Sequence, residues 1–321
     1  MIERDFDRPG NVHDVQLIRP VRTRANARRA FRYKPAPGRR PIADRFVRCS
    51  LDHLTATERC WLEQDLERAA QVQRQLLPDE HTRIQGWEIS YCYRALGPVG
   101  GDYCDIMKRG ADEKEVLITL GDASGKGIAA SLLMAQLHVI FRNLGSANLP
   151  VQELVERANR ILCRHGAGVS YATLVCLQAT SDGDVEICNA GHCPPILVGE
   201  AGITQIESGG LPLGLFPDAR WTVTRERVPK GESLFLYTDG LTEARDGSDG
   251  EYGAERLLRT VQDGSALPPQ ALIETCMQSV AAFQEGVPSS DDATVMAMRT
   301  FDSRRWCLWT AYLISTQYRS M

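Results

Sequence analysis

Four aspartates, each in a short motif, are the residues of this sequence best suited to do chemistry. They are Asp102 in GGDYCD, Asp122 in LGDASGKG, Asp239 in YTDGLTEA and Asp291 in SSDDAT. Two of them, Asp122 and Asp239, closely follow apolar stretches that are typical of buried strands. Carboxylates at strand ends, with few bulky side chains around them, suit a hard divalent cation. We therefore predict that the fold brings these aspartates together as one metal centre.

The same motifs have a simpler interpretation, because a single Asp-Gly pair marks a turn more often than a metal ligand. Competing catalytic signatures are missing, since the sequence contains neither GxSxG nor the phosphate-binding GxxxxGK[ST]. Two metal ions that share a carboxylate can direct a hydroxide at phosphorus without any covalent nucleophile. Four acidic motifs together therefore favour the metal interpretation over four separate turns.

Short strands and pairs of helices must position these motifs. Strands are predicted at 87–94, 115–120, 171–178, 185–189, 195–198, 222–228, 233–237 and 294–299. Helices are predicted at 128–143, 151–164, 253–261 and 269–283. This order does not alternate as βαβ units, so it indicates an α+β sandwich of antiparallel sheets covered by helices. Helix 128–143 is apolar on nearly every side, and we expect it to be deeply buried.

A further helix is predicted at 57–77, before the strands begin. Its apolar seam follows steps of three and four residues and consists of Leu62, Leu66, Ala69, Gln73 and Leu76. Such a seam either pairs with a second copy of the chain or packs on the following domain, and it is shorter than the heptad run that would decide for a coiled coil. We divide the chain into a basic arm or remnant input region (1–54), this linker helix (55–78), a main domain (79–300) and a tail (301–321).

Composition restricts the partners and the compartment. The chain has 321 residues, of which 43% are hydrophobic, enough for one sizeable core. The first 50 residues carry 13 Arg and Lys against five Asp and Glu, which makes the arm basic and the rest of the chain acidic. Such an arm is commonly just solvated, and it lacks the interleaved aromatic residues typical of nucleic-acid binding, so we expect no nucleic-acid partner.

Cysteine use and hydropathy indicate where the protein works. Ten cysteines occur without paired CxxC motifs, and several lie in apolar stretches where a free thiol behaves as a small hydrophobic group. No stretch reaches the roughly 20 apolar residues of a membrane span, and no apolar signal core follows the N-terminus. We expect a cytoplasmic protein with no membrane partner.

The motifs together resemble one family, the SpoIIE/RsbU-type serine phosphatases of the PPM (protein phosphatase 2C-like) superfamily. The motifs that carry the resemblance are GGDYCD at 100–105, GDASGKGI at 121–128, NAGHCPP at 189–195, YTDGLTEA at 237–244 and DDAT at 291–294. They occur in the family's order and at family-like spacing between residues 61 and 299. The helix that ends in QVQRQLLP at 71–78 is also similar to the connector that precedes such domains.

The resemblance implies an αββα sandwich with two Mn²⁺ or Mg²⁺ ions at one edge. It assigns Asp122 as the ligand that bridges both ions, with the backbone carbonyl of Ala123 on one of them. Asp239 and Asp291 hold the second ion, and Asp102 binds the first directly or through water. Asp122 and Asp239 are accordingly the predicted catalytic residues.

The resemblance also implies a substrate, a phosphoserine or phosphothreonine protein. We expect it to be a phosphorylated STAS-domain anti-sigma-factor antagonist in partner-switching signalling. The alternative is a catalytically silent phosphatase fold that binds signalling partners, although a silent copy has no chemical need for four intact aspartates. A homodimer through residues 57–77 is the second expected partner.

Four further polar residues have open roles. Lys126 either attracts the phosphoprotein or lies in solvent, and we favour solvent. His192 is either an acid for the leaving oxygen or a hydrogen-bonding residue of a turn, and we favour the turn. Asp105 and Asp292 are predicted either to support the metal ligands or to have a structural role, and not to bind metal.

Overall fold

A computed structural model describes residues 55–84, 86–110, 114–165, 170–199, 201–207 and 209–301. The predicted arm and the tail beyond residue 301 lie outside the described residues. The helices are α1 (Ala56–Arg74), α2 (Ile128–Gly145), α3 (Val151–His165), α4 (Asp239–Thr242), α5 (Gly253–Asp263) and α6 (Pro269–Gln284). Helices α2 and α3, and likewise α5 and α6, occur as pairs between groups of strands, as the sequence pattern predicts.

Two antiparallel sheets form the centre of the domain. The first has the order β1-β2-β11-β10-β7-β8, and the second has the order β3-β4-β5-β6-β9. The strands of the first sheet are β1 (His81–Ile84), β2 (Trp87–Arg94), β7 (Ile196–Gly199), β8 (Gly202–Gln205), β10 (Ser233–Tyr237) and β11 (Ala293–Thr300). Those of the second are β3 (Asp102–Arg109), β4 (Glu115–Ala123), β5 (Ala172–Thr180), β6 (Asp184–Ala190) and β9 (Val223–Arg227).

Three hydrophobic layers hold these elements together. The middle layer lies between the two sheets and includes Trp87, Ile118 and Met296. One outer layer joins the second sheet to α2 and α3, and the other joins the first sheet to α5 and α6. Because side chains alternate across a strand, each sheet can fill two layers at once. The predicted αββα sandwich is confirmed.

The predicted strands are all present, and three strands were not predicted: β1, β3 and β8. The omission of β3 matters most, because it carries the GGDYCD motif. All positions of β3 are buried except Lys108, so charged residues such as Asp105 and Arg109 lie inside the protein and conceal the strand pattern. The short helix α4 was also missed.

Strand β4 is longer than predicted, and this changes the place of Asp122. The strand continues to Ala123, so Asp122 lies within it and not in a turn after its end. Residues 121–123 pair with β5 on one side, and Asp122 also pairs with Asp102 on the other side. Hydrogen bonding to two neighbouring strands outweighs the turn preference of the Gly-rich sequence.

The expectation of a deeply buried α2 is wrong. Its inner side chains, such as Leu133 and Phe141, pack against the second sheet, whereas Ile128, Leu132 and Val139 are 55%, 67% and 57% exposed. Among the described helices, α2 is the one long and apolar enough to cross a membrane by length and composition. Its inner face belongs to the protein core, as in the core helix of a globular domain.

The linker helix is attached mainly at its C-terminal end. Within α1, Ala70 and Gln73 are the buried residues. Leu76 and Leu77, which follow the helix, pack against the layer below α2. The predicted seam is partly wrong, because Ala69 is exposed and Ala70 takes its place.

Candidate metal centre

The four predicted aspartates lie where corresponding ends of the two sheets meet. Asp102 begins β3 and lies directly opposite Asp122 of β4 in the strand register. In the other sheet, β10 ends at Tyr237 and β11 begins at Ala293, and these strands are antiparallel neighbours. Asp239 follows β10 and Asp291 precedes β11, so the four aspartates come from four different segments at one edge.

Two threonines join the sheets at Asp102. The hydroxyl groups of Thr238 and Thr294 both donate to Asp102 Oδ2, at 2.9 and 2.6 Å. Thr238 Oγ1 in turn accepts the Thr294 N–H at 2.9 Å. Sequence reasoning missed both residues, although each lies in a predicted motif. Thr238 precedes Asp239-Gly240, and Thr294 follows Asp291-Asp292-Ala293.

Burial and mutual repulsion dominate the electrostatics of the site. Asp102 is 1% exposed, and burial raises its pKa to about 8 although the two threonine hydroxyls act in the opposite direction. Burial, then the charges of Asp102, Asp239 and Asp291, raises the pKa of Asp122 to about 9. The pKa of Asp239 is also raised, by burial and then by Asp291. The carboxylates therefore lie within electrostatic range of one another.

The donor set fits a hard divalent cation. Every candidate side chain offers carboxylate oxygen, the ligand type of Mn²⁺ and Mg²⁺, and a cation would offset the repulsion that raises these pKa values. The Ala123 carbonyl oxygen lies close by, since a Cβ placed on Gly101 would lie 3.2 Å from it. Within the described ranges, no three His, Cys, Asp or Glu side chains lie close enough together to hold a metal as they stand.

Lys126 lies beside the site and is not simply in solvent. Its ammonium group contacts Asp291 Oδ2 at 2.8 Å and also donates to the Ser290 carbonyl oxygen. The side chain remains about half exposed. The preference for a solvated lysine is thus corrected: Lys126 supplies a positive charge at the mouth of the carboxylate cluster.

His192 is buried near the site but has the features of a structural residue. Its Nδ1 lies 2.8 Å from Thr173 Oγ1, and its backbone N–H donates to Asn189 Oδ1 at 2.8 Å. Burial lowers its pKa to about 4. A neutral, enclosed imidazole cannot donate a proton at neutral pH, so the structure supports the turn interpretation.

Asp105 faces away from the metal centre. It lies three residues after Asp102 in β3, and side chains an odd number apart point to opposite faces of a strand. Its Oδ1 accepts hydrogen bonds from Arg142 at 2.6 Å and from the Ile106 N–H at 2.8 Å. Burial raises its pKa despite Arg142. Asp105 therefore ties β3 to α2, in line with the structural role that was one of the two predicted for it.

The environment of the cluster includes two residues that sequence reasoning did not select. Burial raises the pKa of the Cys193 thiol, and the charges of Asp239 and Asp122 raise it further. Burial and Asp239 likewise raise the pKa of Glu243. Both stand in predicted motifs, but neither has a spacing that would have distinguished it from its neighbours.

Protein without bound metal is expected to lose stability between pH 7 and pH 9. In the folded state Asp102 and Asp122 lose their protons only within this window, because their pKa values are about 8 and about 9 against an ordinary 3.8. The folded state then binds more protons than the unfolded state, so each pH unit lowers the free energy of unfolding by up to about 1.4 kcal/mol per group.

Thermal unfolding in EDTA and in Mn²⁺, followed by circular dichroism at several pH values, is the measurement. Mn²⁺ should raise the melting temperature more at pH 9 than at pH 7, because fewer protons must then be released. A metal-free melting temperature that rises between pH 7 and pH 9 would contradict the assigned protonation states.

Comparison with known proteins supplies a family for this arrangement. A family model described as Stage II sporulation protein E (SpoIIE) matches residues 112–301. Protein IcfG of Synechocystis sp. is 25% identical over 263 residues, which cover 73% of this chain and 41% of IcfG. Phosphoserine phosphatase RsbU of Bacillus subtilis is 23% identical over 241 residues, covering 74% of this chain and 70% of RsbU. The chain thus spans about two fifths of the length of IcfG.

Solved structures share the architecture. The SiaA-PP2C domain of Pseudomonas aeruginosa has a TM-score of 0.67 and 16% identity, over 77% of this chain and all of that domain. RsbX in complex with magnesium has a TM-score of 0.51 and 18% identity, over 70% of this chain and 97% of that one. At these identities the likeness shows the fold.

Proposed function

Because this chain belongs to the SpoIIE family, we propose that it is a metal-dependent protein serine/threonine phosphatase. The observation that carries the proposal is the convergence of four buried or half-buried aspartates at the shared edge of two sheets. Their repulsion, visible in the raised pKa values of Asp102 and Asp122, is the electrostatic setting that a pair of divalent cations would neutralise.

The ligand roles follow the motifs. Two Mn²⁺ or Mg²⁺ ions would be held by Asp122 as the shared ligand, by Asp102 (directly or through water) and the Ala123 carbonyl on the first ion, and by Asp239 and Asp291 on the second. When bound, the ions supply a hydroxide nucleophile at neutral pH and offset charge on the phosphoryl oxygens. The magnesium complex of RsbX, which shares this fold, supports the choice of ion.

Side chains of this chain prepare the site for that chemistry. Thr238 and Thr294 hold the Asp102 carboxylate by two hydrogen bonds and stabilise its charged form. Lys126 is half exposed beside Asp291, where its positive charge attracts a phosphoryl dianion towards the cluster. His192 stays neutral and fixes the turn after β6, so it is not the proton donor for the leaving oxygen.

The substrate is a phosphorylated STAS-domain anti-sigma-factor antagonist, and dephosphorylation operates in partner switching. The similarity to RsbU, which is named as a phosphoserine phosphatase, supports a phosphoserine substrate. Residues 79–300 form the phosphatase domain and 55–78 the linker helix. The exposure of Trp61, Leu62 and Val72 on α1 supports pairing of residues 57–77 with a second copy. The cysteine use of the sequence supports a cytoplasmic location.

A silent scaffold is the second candidate function, and one observation favours it. The Lys126 ammonium group occupies an oxygen of Asp291, a proposed ligand. If this ion pair persisted against Mn²⁺, the second ion would lack one carboxylate. The four intact aspartates and the family favour the enzyme.

The test is metal-dependent phosphate release from a phosphoserine STAS-domain protein and from a small aryl phosphate. We expect both substrates to be hydrolysed with Mn²⁺ and neither to be hydrolysed in EDTA. Hydrolysis of the aryl phosphate alone would retain the enzyme and reject the STAS substrate. No hydrolysis of either substrate with Mn²⁺ or Mg²⁺, by folded protein, would favour the scaffold.

A further inference from the structure

The segment that joins β2 to β3 is enclosed on several sides just before Asp102. A Cβ placed on Gly100 would lie 2.7 Å from Asp292 Oδ1, and a Cβ placed on Gly101 would lie 2.8 Å from the Ala130 side chain. Only glycine allows such close approach. The backbone of this segment therefore has little room to move. Because Asp102 is the next residue, the position of this segment determines where the Asp102 backbone lies.

Asp292 binds this segment through two hydrogen bonds. Its Oδ2 accepts the Gly101 N–H at 2.6 Å, and its Oδ1 accepts the Leu96 N–H at 2.7 Å. The side chain is 6% exposed. Both oxygens of Asp292 thus bind backbone amides of the loop, whereas the neighbouring Asp291 carboxylate faces Lys126. A carboxylate that accepts two N–H groups holds them more strongly than a neutral acceptor does.

Gln73 holds the same segment from α1. Its Nε2 donates to the Gly100 carbonyl at 2.7 Å, and its Oε1 accepts the Gly100 N–H at 3.1 Å. One amide thus satisfies both backbone groups of a single glycine. Gln73 is 7% exposed and is one of two buried residues of α1, so much of the attachment of this helix is made at Gly100.

We propose that Asp292 and Gln73 are positioning residues that together clamp Gly100 and Gly101 by hydrogen bonds and thereby set Asp102 against Asp122. The inference rests on the proposed function in one respect, that Asp102 takes part in holding metal. Asp292 acts through the backbone and not as a ligand. The clamp also makes α1 part of the site's support, because release of Gln73 frees one face of the segment that precedes Asp102.

Asp292→Asn and Gln73→Ala test the clamp by two readouts. Hydrogen exchange of the peptide covering residues 95–101, measured without metal, reports the segment itself. Titration calorimetry with Mn²⁺ reports the site. Asp292→Asn should speed exchange at least about tenfold and weaken Mn²⁺ binding about 10- to 100-fold, the usual cost of losing an outer contact to a metal ligand. Gln73→Ala should act in the same direction with a smaller effect, because its hydrogen bonds are neutral.

The chain offers matched controls for both variants. Asp246 also accepts two backbone N–H groups, from Ser248 and Gly250, in an exposed loop, and Gln71 is an exposed glutamine on α1. Asp246→Asn and Gln71→Ala should change neither exchange at 95–101 nor Mn²⁺ affinity. Circular dichroism and melting temperature verify that each variant is folded.

Two outcomes would overturn the proposal. Weaker Mn²⁺ binding by Asp292→Asn with unchanged metal-free exchange would make Asp292 a ligand. Faster exchange in both clamp variants, with Mn²⁺ affinity within threefold of the parent, would show that the position of residues 95–101 does not determine metal binding. Neither readout requires phosphate hydrolysis, so failure of the phosphatase assay is distinguishable from failure of the clamp.

Discussion

Asp122→Asn is expected to lower kcat/KM for the phosphoprotein by about 10²- to 10³-fold or more, the scale of losing one preorganised electrostatic contact in an active site. Asparagine keeps the shape of the side chain but removes the charge on which a bridging ligand depends. The same change should stabilise the metal-free protein above pH 7, because burial and four neighbouring carboxylates already disfavour the Asp122 charge.

These opposite effects make the prediction specific. Phosphate release measures the first, and thermal unfolding in EDTA measures the second. Asp184→Asn is a suitable control, since Asp184 also lies on a strand of the second sheet but pairs with Arg227 in solvent, where an ion pair is worth little. Asp122→Asn with more than a tenth of the parent activity would exclude Asp122 as the bridging residue.

Trp87→Ala is expected to cost about 3–5 kcal/mol of the free energy of unfolding. Trp87 is fully buried in the layer between the sheets. Its indole N–H donates to the Thr180 carbonyl at 2.8 Å, which links β2 of one sheet to β5 of the other. The substitution leaves a cavity between the two sheets. Their relative position brings the two halves of the metal centre together.

Urea denaturation of Trp87→Ala and Phe216→Ala provides the comparison. Phe216 is 56% exposed and lies outside α1, so its removal should change the free energy of unfolding by less than about 0.5 kcal/mol. Trp87→Phe should fall between them, because it keeps most of the volume and loses the hydrogen bond. A cost below about 1 kcal/mol for Trp87→Ala would show that the sheets do not depend on this residue.

The sequence alone predicted the architecture, which is confirmed, and the four aspartates of the candidate site. The order of apolar stretches predicted the sandwich, since strands that run in groups between helix pairs cannot form βαβ units. Placing the aspartates in one centre required only that their segments belong to one fold. This placement did not depend on predicting β3, whose strand pattern is concealed by buried charges such as Asp105. Nor did it depend on the length of β4, whose last residues are held by pairing with Asp102 and with β5.

The contacts that organise the site depended on tertiary structure. Thr238 and Thr294 donate to Asp102 across 136 and 192 residues of sequence, and Asp292 reaches Gly101 across 191. A one-dimensional pattern reports which face of a strand a residue occupies, but it does not report which strands meet. Nor could it show that one side of α2 is exposed, because apolar residues surround that helix and only the sheet beneath it selects the side that is buried. Local physics determined the elements, and the packing of two sheets determined which polar atoms became partners.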